Sequence, residues 1–107
     1  MKFVTHNEEA IDICGTSLKG HLRDVSYHRL VVLFGKPNDA DGEKSDAEWD
    51  IRFEDGTVCT IYNWKDGKNY CGKDGLAVRD ITEWHVGAKK EIDVTLVVDA
   101  IIEGVSA

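Results

Sequence analysis

The chain has few of the features that mark membrane proteins, secreted proteins or proteins that coat nucleic acids. Its C-terminal apolar stretch, residues 94–102, is interrupted by Thr95 and Asp99 and is too short to span a bilayer. Polar residues 7–9 stand where a signal peptide needs a continuous apolar run. Lys and Arg number 13 against 20 Asp and Glu, and the net charge of -7 opposes general binding to nucleic-acid phosphates or anionic membranes. We expect a cytoplasmic protein that binds neither nucleic acid directly nor a membrane.

The chain has no paired set of cysteines, and the spacing of the three present excludes two common uses of thiols. Cys14, Cys59 and Cys71 are an odd number and include no Cys-x-x-Cys pair, which is typical of neither a disulfide scaffold nor a zinc ribbon. We predict free thiols, with Cys14 and Cys59 as small buried residues on strands. The four histidines show no metal-ligand spacing either, so we expect no metal site.

Catalytic motifs are also missing from the sequence. It contains no phosphate-binding glycine loop, no nucleophile elbow and no paired catalytic carboxylate motif. A thiol nucleophile needs a nearby base, and Cys71 with His85 is the pair whose sequence surroundings are polar enough, although the sequence does not show whether they meet. We therefore expect a protein that is not an enzyme and that uses no catalytic residue and no cofactor.

The sequence does contain enough apolar residues for one folded domain. Its 107 residues, 42% of them apolar, suit a single domain over residues 1–107. From Trp49 to Phe53 apolar and polar residues alternate, and Asp55-Gly56 supplies a turn before a second β-rich run. This pattern predicts a hairpin over residues 48–64. We also predict a strand over residues 81–86 and short strands within residues 1–25.

Two helices complete the predicted fold. Ser26 is a candidate N-cap before an apolar run over residues 27–34, and Gly35 and Pro37 follow as stop signals. Residues 89–103 space their apolar residues by three and four and are closed by Gly104. We predict an α+β fold, with an antiparallel sheet of about four to six strands and helices near residues 27–34 and 89–103. Because so short a chain forms a limited core, a second copy could cover an exposed edge or aromatic strip, and a homodimer is possible.

Charge is unevenly distributed along the chain. Residues 39–55 contain eight acidic residues against Lys44 and Arg52, which is six of the seven net negative charges. By contrast, residues 60–75 are faintly basic and aromatic. The plain interpretation of the acidic window is a solvated loop. The functional interpretation is a surface that imitates a phosphate array and occupies a basic groove on a host nuclease, polymerase or defence protein. The residues that would bind such a partner are Asp39, Asp41, Glu43 and Asp46.

The aromatic and basic side chains suggest a different site. Aromatic faces can stack on a nucleobase, and Lys and Arg form charge-assisted hydrogen bonds with phosphate. The candidate ligand-binding residues are Arg52, Tyr62, Trp64, Lys65, Lys68, Tyr70, Arg79, Trp84 and His85. The plain interpretation is that the tryptophans are half-buried sheet residues and that the lysines are solvated. The functional interpretation is a small site for a nucleotide-like anion.

Several short motifs resemble those of a group of small proteins from tailed phages. They are Phe34-Gly35-Lys36-Pro37, Glu48-Trp49, Ile61-Tyr62-Asn63-Trp64-Lys65 and Trp84-His85-Val86-Gly87. The resemblance covers about residues 27–88 and implies a phage protein acting in the host cytoplasm. Small phage proteins often counter host defence, and one sort, similar to the Thoeris anti-defence sponges, sequesters a cyclic nucleotide signal without catalysis. The resemblance therefore implies a non-enzymatic sponge, with the acidic protein-binding inhibitor as the alternative.

Overall fold

The computed structural model describes residues 1–38 and 45–106, and these residues form one sheet with helices packed against it. The strands are β1 (Phe3–Thr5), β2 (Ser17–Leu22), β3 (Glu48–Phe53), β4 (Val58–Tyr62) and β5 (Trp84–Ala88). The helices are α1 (Tyr27–Phe34), α2 (Lys68–Cys71) and α3 (Val94–Ser106). Short 3-10 turns occupy Gly72–Asp74, Val78–Asp80 and Glu91–Asp93.

All strand pairs are antiparallel, and the five strands lie in the order β1-β3-β4-β5-β2. The predicted α+β class and the antiparallel sheet are therefore confirmed. The two strands nearest the N-terminus lie at opposite edges of the sheet, so each pairs with a strand far along the chain. No helix within the described ranges 1–38 and 45–106 is long and apolar enough to cross a membrane.

The predicted hairpin is confirmed as β3 and β4. Trp49 and Ile51 on β3 are fully buried, as the alternation predicts. In the turn, Gly56 has a φ of +92°, which favours glycine, and the amide of Thr57 donates to Asp55 Oδ1 over 2.9 Å. These local contacts explain why the hairpin could be identified from sequence.

Helix α1 begins and ends where the sequence predicts. The amide of Arg29 donates to the Ser26 hydroxyl over 3.1 Å, which is an N-cap hydrogen bond. Gly35 follows with a φ of +84°, and its amide donates to the Val31 carbonyl over 2.8 Å. Leu30 and Phe34, one turn apart, are buried against the sheet.

The C-terminal helix is shifted from its predicted bounds. Residues 89–93 do not start the helix, because the amide of Lys90 donates to Asp93 Oδ2 and a 3-10 turn forms first. Gly104 lies inside α3 and does not close it. A Cβ on Gly104 would lie 3.0 Å from Leu33 Cδ1, so this glycine allows α1 and α3 to approach closely.

The short strands predicted within residues 1–25 are confirmed as β1 and β2, but the prediction that Cys14 is buried on a strand is wrong. Residues 10–14 alternate like a strand but form a loop between β1 and β2. In the loop, the amide of Cys14 donates to Asp12 Oδ1 over 2.9 Å, and Cys14 is exposed and not buried. Cys59, by contrast, is buried on β4, as predicted.

The strand predicted over residues 81–86 begins later than expected, at Trp84. The amide of Ile81 donates to the Val78 carbonyl over 3.2 Å and so closes a 3-10 turn. The segment before Trp84 therefore belongs to this turn and the loop after it, and β5 is the shorter strand Trp84–Ala88.

Helices α1 and α3 cover the same face of the sheet. Val97 on α3 and Leu30 on α1 are both fully buried in the core, together with Trp49 and Val86 from the sheet. The opposite face of the sheet carries the alternate residues of each strand. The candidate site lies on this second face.

Candidate functional site

A row of aligned side chains crosses one end of the second face. Strand register places Glu48 opposite Tyr62, Tyr62 opposite His85, and His85 opposite His21. Trp84 and Val86 are buried on the core side, so the alternation of β5 directs His85 to the other side. The ring centroids of His21 and His85 are 4.7 Å apart and those of Tyr62 and His85 are 5.5 Å apart, both edge to face.

Trp64 extends this row immediately after β4. Its indole lies nearly parallel to the His85 ring, with 23° between the planes and 6.2 Å between the centroids. The residue is 40% exposed, so part of its surface can contact a ligand. Lys65 Nζ lies 5.8 Å from the Trp64 ring and 5.3 Å from the Tyr70 ring, within the range of cation–π attraction. We call His21, Tyr62, Trp64 and His85 the aromatic cluster.

The position of Trp64 is fixed by its neighbour Asn63. The Asn63 side chain is fully buried, and its Oδ1 accepts hydrogen bonds from the amides of Asp46 and Ala47 over 2.7 and 3.0 Å. Its Nδ2 donates to Asp46 Oδ1 and Asp66 Oδ1. The side-chain amide therefore ties the start of β3 to the loop that carries Trp64.

A cleft of about 190 Å³ opens beside the aromatic cluster. Its aromatic lining comes from His21, Trp64 and His85, and its charged lining from Arg23, Asp66 and Glu83. Binding sites for whole drug-sized ligands usually enclose roughly 300 to 1,000 Å³. The cleft therefore suits one ring system, and the rest of a nucleotide would lie across the surface.

Burial keeps the central groups of the cluster uncharged. It lowers the pKa of His85 below its ordinary value, and the neighbouring His21 lowers that pKa further, while Asp66 acts in the opposite direction. Burial also raises the pKa of Tyr62, assisted by the negative charge of Glu48. At neutral pH His85 is thus a neutral imidazole and Tyr62 a protonated phenol, and Arg23 supplies a permanent positive charge at the cleft.

The structure brings together five of the predicted ligand-binding residues. They are Tyr62, Trp64, Lys65, Tyr70 and His85.

Trp84 requires a correction. The residue lies at the floor of the cleft, but its side chain is 0% exposed. Its ring packs on Trp49 at 5.4 Å, and its indole N–H donates to the Val25 carbonyl over 2.8 Å. Trp84 is therefore a core residue and offers no face for stacking.

Three predicted cations are also apart from the cluster. Arg52 lies four residues along β3 from Glu48, about 13 Å from the aromatic row, and its guanidinium pairs with Glu9. Arg79 is in the 3-10 turn at Val78–Asp80, which packs against α1 on the helix-covered side. Lys68 is exposed at the start of α2, and the contacts of the described residues do not join it to the cluster.

Four polar residues of the cleft, besides the apolar Leu22, were not predicted from the sequence. His21 and Arg23 reach it through the pairing of β2 with β5, which joins segments that are far apart along the chain. Asp66 and Glu83 lie in loops. Period-two alternation over residues 84–88 is the one local signal that could have separated buried Trp84 from outward-facing His85.

The other candidate sites gain no support from the described residues. Asp39, Asp41 and Glu43 of the acidic alternative lie outside the described residues. Asp46 is described, and its carboxylate accepts from Asn63 Nδ2 and from the amide of Asn69, so it has a structural role. Cys71 Sγ donates to the Lys65 carbonyl over 3.1 Å, and in residues 1–38 and 45–106 no hydrogen bond joins it to His85.

The described residues contain no metal-binding cluster, because no three His, Cys, Asp or Glu side chains among them are placed to hold a metal ion.

The fold and the site together define a small α+β protein with an aromatic, mixed-charge cleft at one end of its sheet. Comparison with family models, curated proteins and solved structures finds no match to this chain.

Proposed function

We propose that this chain is a non-enzymatic binding protein that sequesters a nucleotide-like molecule at the aromatic cluster. The observation that carries the proposal is the Trp64 indole, 40% exposed, stacked over His85 beside a cleft of one-ring size. Base-on-aromatic stacking is worth about 1–3 kcal/mol and accepts any base. A role as a phage protein that counters host defence is part of the proposal, and its support is the motif resemblance.

The mixed charge of the cleft favours a ligand that has both a base and a phosphate. Asp66 and Glu83 can accept hydrogen bonds from the exocyclic amine of a base stacked on Trp64. Arg23 in the cleft and Lys65 above Trp64 can then donate to phosphate. Inorganic phosphate alone would bind to the cations but would be repelled by the carboxylates of Asp66 and Glu83. Each of these contacts holds a ligand, and none requires a bond to be broken.

Tryptophan fluorescence provides a selective test. Trp49 and Trp84 are 0% exposed, so Trp64 is the tryptophan on which a ligand can stack, and Trp84 at the floor of the cleft would sense the ligand from below. Titration with cyclic ADP-ribose, a cyclic dinucleotide, AMP, ribose 5-phosphate and inorganic phosphate should quench the emission saturably for the base-containing compounds alone. Failure of every base-containing compound to bind at micromolar protein would overturn the proposal.

Ligand binding to variants, measured by calorimetry, distinguishes this cleft from the rest of the surface. Trp64→Ala should weaken binding about tenfold or more, which is the loss of one stacked base. Arg23→Ala should also weaken it, because Arg23 lines the cleft. Arg79→Ala is the matched control, since Arg79 lies in the turn that packs on α1. Equal losses for Arg23→Ala and Arg79→Ala would show that binding depends on general charge and not on this cleft.

A further inference from the structure

The outer surface of α1 and α3 is unusually apolar for a surface in contact with water. Val32 on α1 is 73% exposed, and Ile102 and Val98 on α3 are 57% and 37% exposed. Between the two helices runs a groove of about 450 Å³, with Leu33, Ile101 and Gly104 among its lining residues. We call the exposed surfaces of α1 and α3, with this groove, the helix face.

Helix α3 carries an apolar strip that is wider than the part the core covers. Val97 and Ile101 are buried against the core, and Val98 and Ile102, each one residue further and about 100° around the helix, extend the strip to exposed positions. The exposed polar residues of the far side are Thr95, Asp99 and Glu103. A surface helix normally keeps its apolar residues on the side that faces the core, so the exposed extension of the strip leaves apolar surface for a partner to cover.

The charges of the helix face are divided between its two helices. Within Tyr27–Phe34 the charged or titratable side chains besides Tyr27 are His28 and Arg29, both exposed and neither acidic. Within Val94–Ser106 they are Asp99 and Glu103, both exposed and neither basic. Glu103 also lies 3.8 Å from the N-terminal amino group of Met1, which leaves Asp99 as the main acidic contact of α3. One half of the face is therefore basic and the other half is acidic.

We propose that a second copy of this chain covers the helix face in a two-fold symmetric dimer, with α1 of each copy lying across α3 of the other. A two-fold axis brings the same patch together from both subunits, so a basic half meets an acidic half twice. Arg29 of each copy then faces Asp99 and Glu103 of the other, and Val32 packs beside Val98 and Ile102.

The division of charge favours a second copy over a different partner. Two copies that each carry a charge of -7 repel at long range, so their association needs a locally complementary contact. The helix face supplies that contact to itself. A uniformly acidic or uniformly basic partner would match one helix and be repelled by the other.

The dimer does not depend on the proposed ligand, although the two surfaces adjoin. His21, Leu22 and Arg23 line the aromatic cleft and also line a second cleft, which is bounded by Val98, Ile101 and Ile102. Dimerisation through the helix face would thus border the candidate site without occupying it.

Sedimentation equilibrium of the full chain over a concentration series tests this proposal. The unmodified chain should be a dimer, and Val32→Glu and Arg29→Glu should each raise the dimer dissociation constant about tenfold or more, because each sets acidic charge against Asp99 and Glu103. Ile92→Glu is the matched control. Ile92 is 69% exposed but lies in the turn before α3, so this variant should stay dimeric.

Charge reversal on both helices gives a second test, because a variant that recovers the dimer cannot be explained by a failure to fold. Arg29→Glu combined with Asp99→Arg and Glu103→Arg restores opposite charges across the axis and should recover the dimer. Circular dichroism checks that every variant is folded. The proposal is overturned if the unmodified chain stays monomeric at all concentrations, if Arg29→Glu leaves it dimeric, or if the combined variant remains monomeric while folded.

Discussion

Asn63 uses its full hydrogen-bonding capacity in a buried position. A side-chain amide has two donor hydrogens and one oxygen with two lone pairs, and Asn63 has four partners within 3.0 Å. Two of those partners are main-chain amides at the start of β3. Without the Asn63 oxygen these amides lose their acceptor in a place where water cannot easily replace it.

Replacing Asn63 should therefore destabilise the whole protein. Asn63→Ala is expected to lower the free energy of unfolding by about 2–4 kcal/mol, because buried donors without acceptors each cost about 1–3 kcal/mol. Urea denaturation measures the change.

Asn69→Ala is the matched control for Asn63→Ala. Asn69 is exposed, and its side chain donates to the Ser45 carbonyl over 3.2 Å. Its replacement should cost less than about 1 kcal/mol. Similar losses for the two variants would contradict the role assigned to Asn63.

Elements whose signals are local could be placed from the sequence, whereas the long-range pairings that complete the sheet could not. The hairpin of β3 and β4 has its alternation and its Asp-Gly turn within one short segment, residues 48–62, and α1 has its own cap at Ser26. Strand β2 reads Ser-Leu-Lys-Gly-His-Leu, without a β-branched residue, and it becomes a strand by pairing with β5. The candidate cleft depends on that same pairing, which explains why His21 and Arg23 were missed.

Strand β5 contains a glycine that is required by contact and not by backbone conformation. Gly87 is absent from the positive-φ residues of the described chain, yet a Cβ there would lie 2.4 Å from Thr60 Oγ1 on β4. Gly87→Ala should lower the free energy of unfolding by about 1–3 kcal/mol through overpacking. Thermal or urea unfolding of the purified variant measures this loss.

A double-mutant cycle tests whether contact with Thr60 causes the loss of stability in Gly87→Ala. In a Thr60→Ala background the crowding atom is absent, so the added cost of Gly87→Ala should shrink by about 1 kcal/mol or more. Strictly additive losses would show that Gly87 is needed for some other reason.

At the scale of the whole molecule, the Cys59 thiol reports on global unfolding. Cys59 lies between the sheet and the start of α3, where its Sγ is 3.6 Å from the Asp93 carbonyl. Burial, assisted by the charges of Asp93 and Asp55, raises the pKa of Cys59 from 9.0 to about 12. Reaction with a thiol reagent therefore requires the core to open.

The three cysteines should divide into two classes. At about pH 8, Cys14 and Cys71 should react with a disulfide reagent in the folded chain because both are exposed, whereas Cys59 should react only at the rate set by unfolding. Urea should steeply accelerate the reaction of Cys59 with the reagent. Three equally fast thiols in the folded chain would contradict this placement of β4.

The same thiol predicts a dependence of stability on pH. Above the unfolded pKa near 9 the unfolded thiol ionises while the folded thiol stays protonated, so the contribution of Cys59 is complete below pH 9 and is lost as the pH rises toward 12. The loss should be absent in Cys59→Ala and retained in Cys71→Ala, as measured by urea midpoints between those pH values.

The order of strands has a consequence for how the chain is made. Strand β1 pairs with residues 51–53 and β2 with residues 84–88, so both strands leave the ribosome well before their partners are synthesised. The hairpin of β3 and β4 can form as soon as it emerges, and β1 can then pair with β3. Strand β2 has to wait for β5, so β2 stays unpaired the longest during translation and the sheet is completed only after β5 has left the ribosome.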